Sequence, residues 1–420
     1  MRARTTRRLG LSLSMGAEAA QGPFREPSRR LREPSLGPRE PRPPSPRPGR
    51  PPTAAGASSA GRSAEGLPPP AGRPRRAGMT APAEWLAGVR QRVDAKLDTY
   101  LQAKVDEARE VSPDSLELVE GIRDLTMRGG KRLRPVVLDA AYRCVAGTPE
   151  QDATTSAGAA LELLQSYLLI HDDWMDQDDE RRGGPAVHKI FRDAGHEAHL
   201  ANALAILAGD LASAYAWELF LEAPFPHGSL AEATARFITI QKEVFFGQHL
   251  DLTANPDVAR MHDLKTGSYT VRGPLLLGAL LGGADAKQTE AFLAYGNPLG
   301  EAFQLADDLL GTFGDEGETG KPGDDLRHQK RTCLVAETER LLPPAERQAL
   351  DALMAAEAPT DAQVEAASKL IIACGARANV EARLRSLLDQ AHGALESAPF
   401  DGPGVAVLKH LAERLALRKS

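Results

Sequence analysis

From Pro82 onward, hydrophobic residues recur every three or four positions, which is the repeat of an amphipathic α-helix. In the first such segment the apolar positions are Trp85, Leu86, Val89, Val93 and Leu97. Segments rich in Ala and Leu follow to the end of the chain, and stretches of alternating apolar and polar residues are scarce. The pattern therefore predicts an all-α fold.

Glycine and proline indicate where the predicted helices end and begin. The predicted ends lie at Gly129-Gly130, Gly147, Gly183-Gly184 and Pro224, and the predicted starts at Pro343-Pro344 and at Thr360 or Asp361. The apolar run closest to a membrane span, residues 273–283, falls well short of the roughly 20 residues that a bilayer requires. We therefore expect no transmembrane segment.

Residues 1–78 differ in composition from the rest of the chain. They contain 15 of the 31 prolines and 16 arginines, but no lysine and almost no large apolar side chains. Such a segment cannot bury enough apolar surface to offset the entropy of ordering, so we predict a disordered extension, with a folded domain at 79–420. Three explanations stay open: a basic arm for anionic partners, a transit peptide, or an upstream extension that the working protein does not use.

Charge and cysteine content narrow the function further. The folded part is strongly acidic, and the basic extension lacks lysine and interspersed aromatic residues, so we expect no nucleic-acid binding. Three scattered cysteines, Cys144, Cys333 and Cys374, are too few for a disulfide framework or a zinc site. This usage is typical of a reducing compartment, and we expect a cytoplasmic protein.

A first acidic cluster lies in the sequence HDDWMDQDDERRGGPAVH, residues 171–188. Asp172, Asp173 and Asp176 occupy positions i, i+1 and i+4 of a predicted helix, and their like charges repel one another. The preceding segment, LELLQSYLLI, is apolar enough for a core helix, which argues against an ordinary solvated face. Mg²⁺ prefers carboxylate oxygens and phosphate oxygens, so this cluster predicts a magnesium site.

A second acidic stripe follows in FQLADDLLG, where Gln304, Asp307 and Asp308 fall at i, i+3 and i+4. Two such stripes on apolar helices suggest a metal cluster between facing helices of a bundle. Cations suited to phosphate oxygens accompany the stripes. They are Lys131, Arg134, Arg181, Arg182, Lys265, Lys321 and Lys330. Together these residues predict a site for two polyanions.

The ordered set of motifs resembles the trans-isoprenyl diphosphate synthase (polyprenyl synthetase) family. Besides the two acidic motifs, the resemblance rests on GGKRLRP (129–135), GQHLDL (247–252), KTGSY (265–269) and GKPGDDLRHQKRT (320–332). It implies a single large helical bundle around a central cavity, usually a homodimer. It also implies head-to-tail condensation of isopentenyl diphosphate with an allylic diphosphate.

The resemblance also implies roles for individual residues. Magnesium, as three ions with substrate bound, would be held by Asp172, Asp173, Asp176, Asp307 and Asp308. The allylic diphosphate would contact Arg181, Lys265, Thr266, Gln304, Lys321 and Lys330. Isopentenyl diphosphate would contact Lys131, Arg134, Arg182 and Gln165. Gln248 and Asp251 match the motif that supports the metal and the carbocation.

The chain departs from the family's second DDxxD motif, because Gly311 stands where the third aspartate would be and Asp315 follows one turn later. Five residues before the first aspartate, Tyr167 with Leu168 beside it matches the floor that limits product length. That match favours the twenty-carbon geranylgeranyl product, with farnesyl or a longer product as alternatives. Two other functions stay open: a class I terpene cyclase, and a non-catalytic partner subunit suggested by Gly311 and by the unusual extension at 1–78.

Overall fold

The computed structural model describes residues 81–147, 154–314, 323–400 and 403–416, with side chains as far as Arg414. The predicted extension at 1–78 lies outside these ranges, as do Asp315 and Lys321 of the second acidic motif. Within the described ranges nearly every element is a helix, so the predicted all-α class is confirmed.

The elements of the amino-terminal half are α1 (Pro82–Val111), α2 (Pro113–Met127), α3 (Leu133–Ala146), α4 (Thr155–Asp176), β1 (Glu180–Arg181), β2 (Gly184–Pro185), α5 (Val187–Asp193), α6 (Ala198–Leu221) and α7 (His227–Leu252). The remaining elements are α8 (Val258–His262), a π-helix (Asp263–Arg272), α9 (Gly273–Leu281), α10 (Ala286–Phe313), α11 (Asp324–Arg327), α12 (Cys333–Leu341), α13 (Gln348–Met354), α14 (Asp361–Ala373), α15 (Ala376–Ser397) and α16 (Pro403–Ala416).

Several helix boundaries follow the local sequence signals. Helix α1 begins at Pro82, whose missing N–H is not needed in a first turn, and α3 ends directly before Gly147. Helix α14 begins after Thr360, which forms a capping box with Gln363.

Two boundaries differ from the prediction. The N–H of Glu346 bonds to the carbonyl of Pro343 over 2.9 Å, so Pro343-Pro344 open a separate turn and α13 begins only at Gln348. Helix α4 ends at Asp176 rather than at Gly183-Gly184, because Gln177 adopts a left-handed conformation (φ 59°). The two glycines instead belong to a short hairpin, in which Arg181 pairs with Gly184.

The core is built where apolar helix faces meet. Helix α4 packs along α6, α3 along α9, α10 along α15, and the π-helix lies against both α7 and α10. Aromatic rings fill the α6–α7 contact, where Phe220 stacks on Phe237 with centroids 4.5 Å apart. Tyr295 in α10 is buried and donates to the carbonyl of Leu408 over 2.7 Å, which ties α10 to α16.

One helix among the residues described, α6, is long and apolar enough to cross a membrane by length and composition alone. It is a different segment from residues 273–283, which the sequence pointed to. One side of α6 is buried against α4 and α2, with Ala201, Ala205, Ala208 and Ala212 fully covered. This packing is that of a core helix in a bundle.

Candidate active site

The first acidic cluster lies in the last turn and a half of α4. Of the apolar residues that precede it, Leu161, Leu163, Leu164 and Ile170 are buried in the core, while residues 167–169 are partly buried. A helix carboxyl end carries partial negative charge, which adds to the repulsion among Asp172, Asp173 and Asp176. The position of the cluster therefore increases its need for a cation.

The three aspartates of this cluster differ in environment. Asp173 is fully buried, and its Oδ1 accepts a hydrogen bond from Nε of Arg181 over 2.6 Å. Its Oδ2 is buried without a hydrogen-bond partner. Asp172 is partly exposed, whereas Asp176 at the end of the helix is exposed. Asp172 and Asp176, separated by one helical turn, are thus more accessible than Asp173 between them.

The pKa values of two of these aspartates, Asp173 and Asp176, are raised. Burial raises the pKa of Asp173 to about 6 in spite of the bond from Arg181. Although the residue as a whole is exposed, partial burial of its carboxyl group and the neighbouring charge of Asp172 raise the pKa of Asp176 to about 6 as well. Both shifts indicate that negative charge is costly here, and a bound cation would lower that cost.

Lys265 supplies the nearest cation to this cluster. Its Nζ lies 3.1 Å from Oδ1 of Asp172 and 2.6 Å from Oδ2 of Asp251. Burial lowers the pKa of Lys265, but the carboxylates of Asp172 and Asp251 outweigh burial and leave the pKa raised. The ammonium group therefore joins α4, α7 and the π-helix through charge.

The backbone at Lys265 is held by a close helix contact. A Cβ atom at Gly247 would lie 2.6 Å from Cα of Lys265, so only glycine lets α7 approach the π-helix this closely. The π-helix, Asp263–Arg272, carries both residues of the predicted Lys-Thr pair, Lys265 and Thr266. Irregular helical turns of this kind occur frequently at functional sites.

A second polar group surrounds Arg134 at the start of α3. Its guanidinium lies 4.0 Å from the ring centroid of Tyr269 and donates to Oγ1 of Thr270 over 2.9 Å. The buried hydroxyl of Tyr269 donates in turn to Oε1 of Gln165 over 2.9 Å. The structure thus brings the predicted residues Arg134 and Gln165 together through Tyr269, which the sequence analysis did not single out.

Arg182 lies near this group. Burial, together with the positive charges of Arg132 and Arg134, lowers its pKa despite the opposing charge of Glu162. A Cβ atom at Gly130 would lie 3.7 Å from the Arg182 guanidinium. Adjacent positive charges of this kind repel one another and would be relieved by a bound polyanion.

The loop that precedes α3 is anchored to the β1–β2 hairpin. Arg128 donates to the carbonyl oxygens of Arg181 and Pro185 over 2.9 and 2.8 Å. Arg132 is buried against Glu162, with 2.6 Å between Nη1 of the arginine and Oε2 of the glutamate. These bonds position the loop next to the arginines that follow the first acidic cluster, and they leave Lys131 exposed on the same loop.

In the second acidic stripe the two aspartates are not equivalent. Asp308 is almost fully buried, and its Oδ1 accepts from Nε2 of Gln304 over 2.7 Å. Its Oδ2 accepts from the N–H of Cys333, the first residue of α12, over 2.7 Å. Asp308 thus stabilises the start of α12, while Asp307 is only partly buried. Gln304 lines a second cavity of about 910 Å³ together with His262.

No three His, Cys, Asp or Glu side chains in the described ranges form a ready metal cluster. Mg²⁺ is commonly bound by one or two carboxylates, with water and substrate phosphates as the other ligands. The arrangement at Asp172 and Asp176 fits that second type of site. The unpartnered, buried Oδ2 of Asp173 shows in addition that the cluster can accept further positive charge.

A cavity of about 410 Å³ joins the polar residues to an apolar chamber. Its polar lining includes Arg134, Gln165, Asp172, Gln248, Lys265 and Thr266. Its apolar lining includes Tyr167, Leu168, Val244, Phe245 and Leu252. Because Tyr167 precedes Asp172 by five residues on one helix, the two residues lie about 7.5 Å apart along the helix axis.

The ring of Tyr167 meets two further rings in this cavity. It contacts His171 edge to face with centroids 4.9 Å apart, and Phe245 of α7 with centroids 6.2 Å apart. The sequence singled out Tyr167 but not Phe245, because nothing in the local pattern of α7 distinguishes this phenylalanine from a core residue.

The polyprenyl synthetase family model matches residues 116–371, which include every acidic and basic motif described above. The chain belongs to the polyprenyl synthetase family. A geranylgeranyl diphosphate synthase of Sulfolobus acidocaldarius is 34% identical over 250 residues, covering 56% of this chain and 71% of that protein. A geranylfarnesyl diphosphate synthase of Natronomonas pharaonis is 31% identical over 301 residues, covering 64% of this chain and 83% of that protein.

Solved structures of the polyprenyl synthetase family share the fold. A geranylgeranyl pyrophosphate synthase from Corynebacterium glutamicum, complexed with isoprenyl diphosphate and magnesium, superposes with a TM-score of 0.73. It is 32% identical, and the match covers 80% of this chain and 99% of that protein. The isoprenoid synthase bundle that the sequence resemblance implied is therefore confirmed.

Proposed function

We propose that this protein is a prenyltransferase that condenses isopentenyl diphosphate head to tail with an allylic diphosphate. The main product is proposed to be geranylgeranyl diphosphate. The observation that carries this proposal is the 410 Å³ cavity, which has the Asp172–Lys265 ion pair at one end and Tyr167 in its apolar part. A charged head group and an isoprenoid chain can occupy these two regions at the same time.

Magnesium is the metal that these residues fit. Asp172, Asp176 and Asp307 are the candidate ligands, and substrate diphosphate would complete the coordination. Asp173 and Asp308 support them from buried positions. When bound, Mg²⁺ supplies positive charge that stabilises the leaving diphosphate. The three ions that the family resemblance implies belong to this proposal.

The surrounding cations bind the two diphosphates. On the allylic side, Lys265, Thr266 and Arg181 lie next to the first acidic cluster. Lys330, Lys321 and Gln304 belong to the same proposed group through the second motif. On the isopentenyl side, Arg134 and Gln165 line the cavity. Lys131 lies on the loop that precedes α3, and the Arg182 guanidinium lies next to Gly130 of the same loop.

The reaction begins with cleavage of the bond between the allylic carbon and its diphosphate oxygen. Lys265 and Arg181 stabilise the charge that develops on the leaving oxygen. The double bond of isopentenyl diphosphate then attacks the allylic cation, and the new cation loses a proton to the released diphosphate. The apolar lining by buried Val244 and the ring of Tyr167 excludes water, which would otherwise capture the cation.

Incubation of the full-length chain with isopentenyl diphosphate, Mg²⁺ and allylic diphosphates of five, ten and fifteen carbons tests this function. Mass spectrometry should find a twenty-carbon diphosphate as the main product. A fifteen-carbon or longer main product would retain the reaction and overturn the product assignment. Diphosphate binding without elongation would favour the non-catalytic partner subunit. The same assay on residues 79–420 tests whether 1–78 is dispensable.

We include the homodimer and the cytoplasmic location in the proposal. Exposed apolar side chains on α6 and α7 support an interface there, since Leu207 is 52% exposed and Phe246 is 62% exposed. Analytical ultracentrifugation of Phe246→Asp, with Lys242→Asp on the same helix as control, should show a monomer for the first variant alone. A dimeric Phe246→Asp protein would contradict this surface.

A further inference from the structure

The structure gives Gly311 a neighbour that the sequence did not predict. Gly311 lies one turn beyond Asp307 on α10, at the position of the missing third aspartate. A Cβ atom built at Gly311 would lie 3.0 Å from Oδ1 of Asp325, and still closer to its Cγ and Oδ2. The carboxyl group of Asp325 therefore occupies the space that a side chain at position 311 would need.

Asp325 is placed there by its own helix and turn. It belongs to the four-residue helix α11, and its side chain is only 18% exposed. Its carbonyl accepts from the backbone N–H of Lys330 over 2.9 Å, which closes a turn around the carboxyl group. Its Oδ1 lies 3.7 Å from Nζ of Lys330, one of the proposed diphosphate ligands.

The charge of Asp325 also adds to that of the second acidic stripe. Burial raises its pKa to about 6, an effect that Lys330 opposes and the charge of Asp308 reinforces. A carboxyl group in this location costs free energy unless it has a cation to stabilise it. Its neighbour Asp324 differs, because the Asp324 side chain is 44% exposed and lies near His328 at the surface.

We propose that Asp325 replaces the third carboxylate of the second acidic motif, and that Gly311 lacks a side chain in order to admit it. In this arrangement Asp325 is a positioning residue: it keeps Lys330 next to α10 and adds negative charge where magnesium diphosphate binds. The inference rests on the proposed prenyltransferase function. Under this proposal Asp325 compensates for the aspartate that the family motif has at position 311. Gly311 then does not indicate that the site has been lost.

The experiment uses substitutions to move the carboxyl group from position 325 to position 311. Asp325→Ala should raise KM for the allylic diphosphate and lower kcat/KM by about tenfold or more, as is usual for residues that orient metal or phosphate ligands. Gly311→Asp should also lose activity, since the added side chain collides with Asp325. The double variant Gly311→Asp/Asp325→Ala should regain most of the activity, because one carboxyl group again fills the space. Asp324→Ala is the matched control and should behave as the unaltered chain.

A second readout does not depend on turnover. The rise in melting temperature on adding Mg²⁺ with inorganic diphosphate should be reduced in both single variants and restored in the double variant. Asp325→Asn keeps the shape but removes the charge, so it should fold normally and still lose this response. The inference is overturned if Gly311→Asp alone matches or exceeds the unaltered chain in activity or in this response. It is also overturned if the double variant is no more active, and responds no more, than Asp325→Ala. An unaltered chain that responds to diphosphate but forms no prenyl product would refute only the proposed function.

Discussion

The ammonium nitrogen of Lys265 lies 3.1 Å from Oδ1 of Asp172, so the first acidic motif is partly neutralised by a side chain of the π-helix. The same nitrogen contacts Asp251 of α7. Two carboxylates on different helices thus share one cation in the free protein. Diphosphate and metal would compete for these partners, so Lys265, a proposed substrate ligand, also substitutes for the metal charge in the free protein.

Replacement of Lys265 should separate these two contributions. Lys265→Met is expected to lower kcat/KM by about a hundredfold or more, because a positive charge at the leaving group is lost. The same variant should bind Mg²⁺ alone more tightly than the unaltered chain, since Asp172 and Asp251 lose their internal cation. Calorimetric titration with Mg²⁺ measures the second effect. Lys189→Met, a change at a lysine of α5 that pairs with Asp193, serves as the control. Equal Mg²⁺ affinity in the unaltered chain, Lys265→Met and Lys189→Met would refute the charge-sharing argument.

Alanine substitutions of the two aspartates of the second stripe, Asp307 and Asp308, should have different effects. Asp307→Ala should abolish most magnesium-dependent turnover with little change in the free energy of unfolding. Asp308→Ala should lower that free energy by about 1–3 kcal/mol, because the partly buried N–H of Cys333 and the amide of Gln304 lose their acceptor. Urea denaturation and steady-state kinetics distinguish the two. Unchanged turnover in Asp307→Ala would show that the metal assignment is wrong.

Ring size in the apolar part of the cavity should control product length. Tyr167→Ala and Phe245→Ala are each expected to shift the main product to a longer chain, because both rings line the cavity in which we propose that the growing chain lies. The double variant should shift it further. Tyr167→Phe keeps the ring and should leave the product unchanged. Product analysis by mass spectrometry that shows the same distribution for Tyr167→Ala and the unaltered chain would reject the floor assignment.

Asp173 should make the free protein less stable as the pH rises. The folded chain keeps this carboxyl group protonated to about pH 6, whereas an unfolded chain releases the proton near pH 4. The folded state therefore binds more protons between these values, and the free energy of unfolding falls as the pH increases through them. Relative to Asp173→Asn, the unaltered chain should lose roughly 3 kcal/mol between pH 3 and pH 7 without Mg²⁺.

Urea denaturation across this pH range, with Asp193→Asn as the control at an exposed aspartate, measures the difference between the curves. The Asp193→Asn curve should run parallel to that of the unaltered chain. A difference between the unaltered chain and Asp173→Asn that stays constant with pH would contradict the raised pKa of Asp173.

The helical class and the order of the motifs could be read from the sequence, because both depend on local information. The 3.6-residue repeat that begins at Trp85 predicted α1, and its apolar positions Val89, Val93 and Leu97 are indeed buried. The spacing of Asp172, Asp173 and Asp176 placed three carboxyl groups on one helix end. Helix boundaries were harder to predict from the sequence. Pro343-Pro344 form a turn and not the start of a helix, because proline is common in both positions.

Which carboxyl group meets which partner was decided only by the tertiary structure. Asp172, Asp173, Asp307 and Asp308 look alike in the sequence, yet Asp173 is buried against Arg181 and Asp308 is bonded to the backbone of Cys333. The contact of Tyr269 with Arg134 joins residues 135 positions apart in the chain, and that of Asp325 with Gly311 joins two helices through residues 14 positions apart. Helical periodicity determines the face on which a side chain lies. Its partner and its burial depend on how distant helices pack, and those properties set the charge and the reactivity of the site.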